Sequence, residues 1–319
     1  MAEYDGVTVA YCGNFRHAHC TETHVAATLE ALGCKVVRLQ ENGLSVSDIG
    51  ERSKNADLFL YTRTWGLHPA PVAVEMLRSI ELRGVVTASF HLDLYVGLNR
   101  ENTLDGDPFW ETGFVFTPDG DPASEAIFAE RGIRHVWSPP AVWQDECVMG
   151  NVDAQFNQDV VFVGSYPYPH AEWAYRNTLV EWLRNTYGAR FQRYGGGTTV
   201  VRNMPLNDLY RTARVVVGDS LCPGFTKRNY WSDRLTETLG RGGALVWPEI
   251  PGVAEQGFVD GEHLRIYQFG DFDQLHTIID EMLADPEGTR AMAERGQAFV
   301  LENHTYIQRM SALLETTLA

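Results

Sequence analysis

Cysteine is scarce in this 319-residue chain: Cys12, Cys20, Cys34, Cys147 and Cys222 are an odd five without C-x-x-C spacing. That excludes a disulfide framework and a zinc knuckle, and the expectation is reduced thiols in a cytoplasmic protein. Basic residues are outnumbered, 26 Lys and Arg against 42 Asp and Glu, for a formal net charge of -16. Such a balance excludes a generic coat for nucleic acid or for an anionic membrane, though it leaves room for a local basic groove. No apolar run approaches the length of a membrane span, and the opening Met-Ala-Glu-Tyr-Asp is no secretory signal. Short-period repeats, low-complexity tracts and a glycine-rich dinucleotide fingerprint are missing as well. What is present is enough chain for two domains of about 150 residues each.

Both halves alternate apolar runs with helical periods. GVTVAYCGN predicts a strand from Val7 to Tyr11 that breaks at Gly13, a helix follows over 21–32, and CKVVRLQE supplies a second strand. Gly13, Asn14, Arg16 and His17 then lie at the carboxyl end of the first strand, where open α/β sheets bind ligands. His19 and His24 follow closely, but no carboxylate or cysteine completes a metal set with them. ADLFLYTRTW is a strand that delivers Arg63, Thr64 and Trp65 to the same end, and VVTASFHLDLY delivers His91 and Asp93. Asp93 has the chemistry of a general base. Two Asp-Gly-Asp triplets, 105–107 and 119–121, read either as a divalent-cation clamp or as ordinary turns, and the turn reading is preferred.

The second half opens on NQDVVFVGSYPYP, a strand that presents Gly164 and Ser165, followed by a helix whose Arg176 is expected to face the same cleft. Trp173, Leu179 and Trp182 are spaced for that helix's buried face. The Gly-Gly-Gly after RFQRY reads as a turn. The densest stretch runs from Cys222 to Glu262. A loop from Gly224 to Arg228 leads to Ser232, which is placed to cap a helix beginning at Asp233; Gly240, Gly242 and Gly243 end that helix, and ALVWP is a buried strand. Lys227, Arg228 and Arg234 around the helix start make an electropositive pocket for phosphate. Glu237, one turn on, can accept hydrogen bonds from paired ribose hydroxyls. Together these residues predict a nucleotide-diphosphate site.

The order SDRLTETLGRGG, strand, PGVAEQGFVDGE resembles the donor half of GT-B glycosyltransferases of the group-one, family-four-like retaining type, and the similarity runs from DVVFVGS to the C-terminal LADPEGTRAMAERG and beyond. The resemblance implies an α/β fold of two Rossmann-like, doubly wound domains facing each other across a cleft. Residues 1–145 would form the acceptor domain, 146–303 the nucleotide-sugar donor domain, and 304–319 a helix crossing back onto the first. Glu237 would bind the donor ribose; the first acid of the family's glutamate pair falls at position 229, which is Asn229 here. The implied donor-binding set is Gly13, Gly164, Ser165, Gly224, Phe225, Lys227, Arg228, Asn229, Tyr230, Ser232, Arg234 and Glu237. His91, Asp93, Lys227 and Arg234 are the catalytic candidates, and Asn14, Arg16, His17 and Arg63 lie on the acceptor side. The expected reaction moves a sugar from a nucleotide-diphosphate sugar, UDP-sugar preferred, to a hydroxyl, with retention and no required cofactor; a divalent metal is not favoured. Inversion with Asp93 or His17 as base is the runner-up. An envelope glycan, a lipid carrier head group, a metabolite or a modified DNA base is the acceptor. A phage-type enzyme acting on 5-hydroxymethylpyrimidine would draw on Arg16, Arg63, Arg78, Arg83 and Arg100 for a basic rim. A non-catalytic nucleotide-sugar binding protein is the alternative from another class.

Overall fold

The computed structural model describes residues 4–168, 173–220 and 227–319. Its backbone contacts divide into two compact units, Met1–Pro139 with Tyr306–Ala319, and Pro140–Thr305.

In the first unit six strands form one parallel sheet: β1 (Thr8–Gly13), β2 (Lys35–Gln40), β3 (Leu58–Tyr61), β4 (Val86–Phe90), β5 (Phe114–Thr117) and β6 (His135–Trp137), in the order β2-β1-β3-β4-β5-β6. Helices α1 (Thr21–Ala31), α2 (Val46–Ser53), α3 (Ala70–Glu81) and α4 (Pro122–Glu130) make the crossovers. The central strands are apolar along their whole length because helices cover both faces; Val9 to Cys12 and Leu58 to Tyr61 are fully buried. Ser45 and Asp48 form a capping box at the start of α2. The chain leaves β1 toward β2 on one side and returns to β3 on the other, so the topological switch point falls between β1 and β3.

The second unit repeats this plan with five parallel strands, β7 (Val160–Val163), β8 (Phe191–Tyr194), β9 (Val215–Val217), β10 (Leu245–Pro248) and β11 (Arg265–Tyr267), in the order β11-β10-β9-β7-β8. Among the described residues six α-helices belong to it: α5 (Ala174–Tyr187), α6 (Met204–Thr212), α7 (Arg234–Gly240), α8 (Pro251–Glu255), α9 (Phe272–Ala284) and α10 (Pro286–Asn303). Its switch point lies between β7 and β9. Finally α11 (Tyr306–Leu318) packs on α1 of the first unit, where the Tyr4 hydroxyl donates to the Ser311 carbonyl and Arg309 Nε to the Pro139 carbonyl, 2.8 Å. No described helix is long and apolar enough to cross a membrane.

Candidate donor and acceptor sites

In the second unit, the loops after β7 and β9 and the start of α7 meet at the switch point. Arg234, the first residue of α7, donates from Nη1 to the Val163 carbonyl at 3.0 Å. It lies so close to Gly164 that a Cβ there would stand 2.7 Å from Nη1. An alanine at 164 would therefore crowd both that guanidinium and the Phe162 ring. Asp219, which follows β9, is 2% exposed and accepts Arg176 Nε at 2.7 Å on one oxygen, while its Oδ1 is buried without a hydrogen-bond partner. Burial works against the charge of Arg234, but the carboxylates of Asp219, Asp233 and Glu237 outweigh it and hold the guanidinium above its usual range. Arg176 is thus a buried partner of Asp219, stacked 4.5 Å over the Tyr168 ring, rather than a residue facing a cleft.

Glu237 is 31% exposed on its side chain, with Arg241 Nη2 3.7 Å from Oε1. Desolvation and the neighbouring Asp233 raise its carboxyl above the ordinary value, against the pull of Arg241 and Arg234. Arg241 is almost wholly buried, with Glu146 at 2.6 Å and the Asn207 side chain as further partners. Ser232 does not cap α7. Its hydroxyl donates to the Asp219 carbonyl at 3.3 Å and its N–H to Ser220 Oγ at 3.0 Å, tying the β9 loop to the approach of α7, and the helix starts one residue later than the cap would set it. With seven residues α7 carries little macrodipole, so side-chain charge dominates here.

The remaining donor-side residues separate. Arg228 is exposed and ion-paired with Glu255 of α8, and its carbonyl accepts Gly252 N–H at 2.7 Å. Asn229 lies against Gly252, Lys227 is half-buried, and Tyr230 is buried. Gly224 and Phe225 lie outside the described residues. Ser165 borders Gly196, whose added Cβ would meet its Oγ at 2.7 Å. The triple glycine is more than a turn, because Gly195 presses backbone to backbone on Gly164 and Gly197 on Tyr166.

At the first unit's switch point two acidic residues, Glu22 and Glu41, are buried. Glu22 accepts Asn14 N–H and the Thr64 hydroxyl, so it joins the loop after β1 to the loop after β3. Glu41 accepts the Tyr61 hydroxyl at 2.8 Å and the N–H groups of Thr64, Trp65 and Gly66. Gly13 is pressed against Glu22, 2.8 Å from Cγ to a Cβ built there. His91 accepts Asp93 N–H on Nδ1 at 3.0 Å, which leaves Nε2–H to donate to the Arg63 carbonyl at 3.2 Å. Although desolvation opposes it, Asp93 is held below the usual carboxylate range by His91 and by Arg100, 2.6 Å away. Arg63 pairs with Asp107 at 2.5 Å.

The two Asp-Gly-Asp triplets are spent locally: Asp105 pairs with Arg131, Asp107 also caps the turn at Phe109, and Asp119 accepts the N–H groups of Tyr95 and Val96. Asp121 is buried with neither oxygen bonded. His17 stacks on His19, while His24 is buried in α1. Among the described residues no three His, Cys, Asp or Glu side chains group to hold a metal ion.

Residues 176–315 match the family model described as glycosyl transferase-like. Over that stretch the chain is similar to glycosyltransferases. Several solved structures share its fold. An alpha-glucosyltransferase in complex with UDP and a 13-mer DNA containing an HMU base superposes with a TM-score of 0.72 at 8% identity, over 98% of this chain and 99% of that one. Anabaena HepE in complex with UDP gives 0.60 at 12%, over 97% and 99%. Sucrose-phosphate synthase from Thermosynechococcus elongatus gives 0.60 at 12%, over 98% and 99%. No curated protein matches the chain in sequence. Asp219, Arg241, Glu22 and Glu41 are the supporting residues that sequence patterns did not single out. Only the position of Asp219 at a strand end was a signal.

Proposed function

We propose that the enzyme transfers glucose, or a closely similar sugar, from its UDP derivative to a hydroxyl, with the second unit (140–305) binding the donor and the first unit carrying the acceptor side. The observation that carries this reading is the grouping of Arg234, Gly164, Asp219 and Glu237 at the switch point between β7 and β9. Arg234 stands where a diphosphate would meet strand ends, and Glu237, one turn along α7, is an acceptor for ribose hydroxyls. Solved relatives of the fold hold UDP or UDP-glucose, which supports the same donor here.

Chemically, the bond from sugar C1 to the diphosphate oxygen breaks, the acceptor oxygen bonds to C1, and its proton passes to the departing phosphate. The catalytic requirement is positive charge on the leaving group, supplied by Arg234 with Lys227. Retention without a metal is the favoured course. Asp93, drawn low by Arg100 and His91, is a poor general base, and both His91 nitrogens are engaged by backbone groups. The four described cysteines that remain free suit a cytoplasmic enzyme.

A thermal-shift titration with UDP-glucose, with and without EDTA, tests the donor. Saturation at one hundred times Kd adds about 2.7 kcal/mol. A metal-independent rise that Glu237→Ala abolishes is expected. No rise with UDP-glucose would refute the donor, and binding without transfer or hydrolysis would instead make the protein a nucleotide-sugar binder.

A further inference from the structure

We propose that Trp65, braced by Arg16, is a stacking platform for a pyranose ring of a carbohydrate acceptor. The proposal rests on the glycosyl-transfer reading above and specifies its acceptor class. Trp65 follows β3 at the carboxyl end of the first sheet, directly at the switch point where open α/β sheets take ligands. It is 41% exposed, the only tryptophan among the large exposed side chains of the described residues. The Arg16 guanidinium, from the loop after β1, lies over its ring at 5.5 Å from the centroid.

Neither loop is free to bury the indole. Glu41, 4% exposed, takes the N–H groups of Thr64, Trp65 and Gly66 at 3.1, 2.9 and 2.9 Å. Glu22, 5% exposed, bonds Asn14 N–H and the Thr64 hydroxyl, and Gln40 accepts Phe15 N–H at 2.9 Å. Gly66 holds a φ of +93°, a conformation that glycine adopts readily, in the turn that follows Trp65 in sequence. Two buried carboxylates therefore present an exposed aromatic in a fixed pose, which is the preorganisation that lowers the entropic cost of binding.

An indole offers a flat, electron-rich face to the C–H bonds on one side of a pyranose, and a guanidinium alongside can donate to ring hydroxyls. A nucleobase would also stack, but nucleic acid needs cations for its phosphates. Of the arginines that a basic rim would draw on, Arg63 is committed to Asp107, Arg100 to Asp93, and Arg78 to Glu81 and Glu111. With a chain charge of -16 in addition, the surroundings of Trp65 favour a neutral sugar.

The test follows the indole N–H resonance of Trp65 in uniformly ¹⁵N-labelled full chain, assigned with Trp65→Phe, during titration with maltotriose, cellotriose and chitotriose. A 13-mer duplex containing 5-hydroxymethyluracil is titrated in parallel. At least one trisaccharide is expected to move the resonance and the DNA is not, and Trp65→Ala should weaken that trisaccharide by about tenfold. The UDP-glucose thermal shift should be the same in Trp65→Ala as in the parent. A resonance unmoved by all three sugars, one moved by the DNA alone, or equal sugar affinity in Trp65→Ala would each overturn the platform. A parent protein that binds the sugar at Trp65 yet gives no UDP-glucose shift would overturn the donor assignment and leave the platform standing.

Discussion

Gly164→Ala separates the role of Arg234 from that of the fold around it. An added Cβ would stand 2.7 Å from Arg234 Nη1 and 2.7 Å from Phe162 Cε1, where ordinary contact begins at 3.4 Å. Phe162 is fixed in the core of the second unit, whereas the guanidinium is the far end of a flexible side chain. The guanidinium therefore yields and gives up the Val163 carbonyl. Overpacking should cost about 1–3 kcal/mol of stability, or roughly 2–4 °C of Tm per kcal/mol. Moving the guanidinium off the diphosphate removes a charge-assisted hydrogen bond of about 1.5–3 kcal/mol, which weakens UDP-glucose by about 10- to 150-fold. Calorimetric titration at fixed ionic strength reads this directly. The decisive comparison is a double-mutant cycle: once Arg234 is alanine, Gly164→Ala should have little further effect on donor affinity. If Gly164→Ala weakens the donor equally with and without Arg234, or not at all in the parent, the glycine is not reserved for the arginine and the reasoning fails.

Other expectations follow from the same geometry. Glu237 has a raised carboxyl, so ionising it disfavours the folded state; the penalty is absent below the unfolded value and complete once pH exceeds the folded one. In urea melts Glu237→Gln should accordingly gain stability over the parent at pH 7 but not at pH 4, while losing most of the UDP-glucose shift. A parent that is the more stable of the two at pH 7 would contradict that sign. If Asp93 were the base of an inverting reaction, Asp93→Asn would cost about 10²- to 10⁴-fold in turnover; a loss below tenfold, with a product of unchanged anomeric configuration by NMR, is expected instead. Glu41→Gln puts the three N–H bonds of the β3 loop at risk and should lower stability by about 1–3 kcal/mol, measured by chemical denaturation. An unchanged midpoint would show that the loop holds itself.

The sheets were legible because parallel strands covered on both faces are written as short apolar runs, VVFV and LVWP among them, and because glycines and prolines punctuate the crossovers. The strand ends followed from that, and so did the placement of Gly164 and Arg63 in loops. Which side chain would meet which was not legible. Arg176 lies on the helix face that packs, and its partner Asp219 comes 43 residues later. Glu41 has the look of a solvated loop acid until a loop some 24 residues on wraps its N–H groups around the carboxylate. Ser232 obeys a local capping rule that loses to the Asp219 carbonyl. The triple glycine is explained only by the β7 loop 31 residues earlier.

The first unit is discontinuous in sequence, with the whole of 140–305 inserted before α11 returns to it. During synthesis this reverses the usual order, in which the N-terminal domain completes first. The second unit, being continuous, can close on the ribosome as soon as residue 305 has emerged. Until 306–318 arrive, the face of α1 that α11 covers stays open to water and to other chains. A chain truncated after residue 305 should thus contain a protease-resistant second unit beside a first half that is still vulnerable, the state in which a holdase chaperone would matter most.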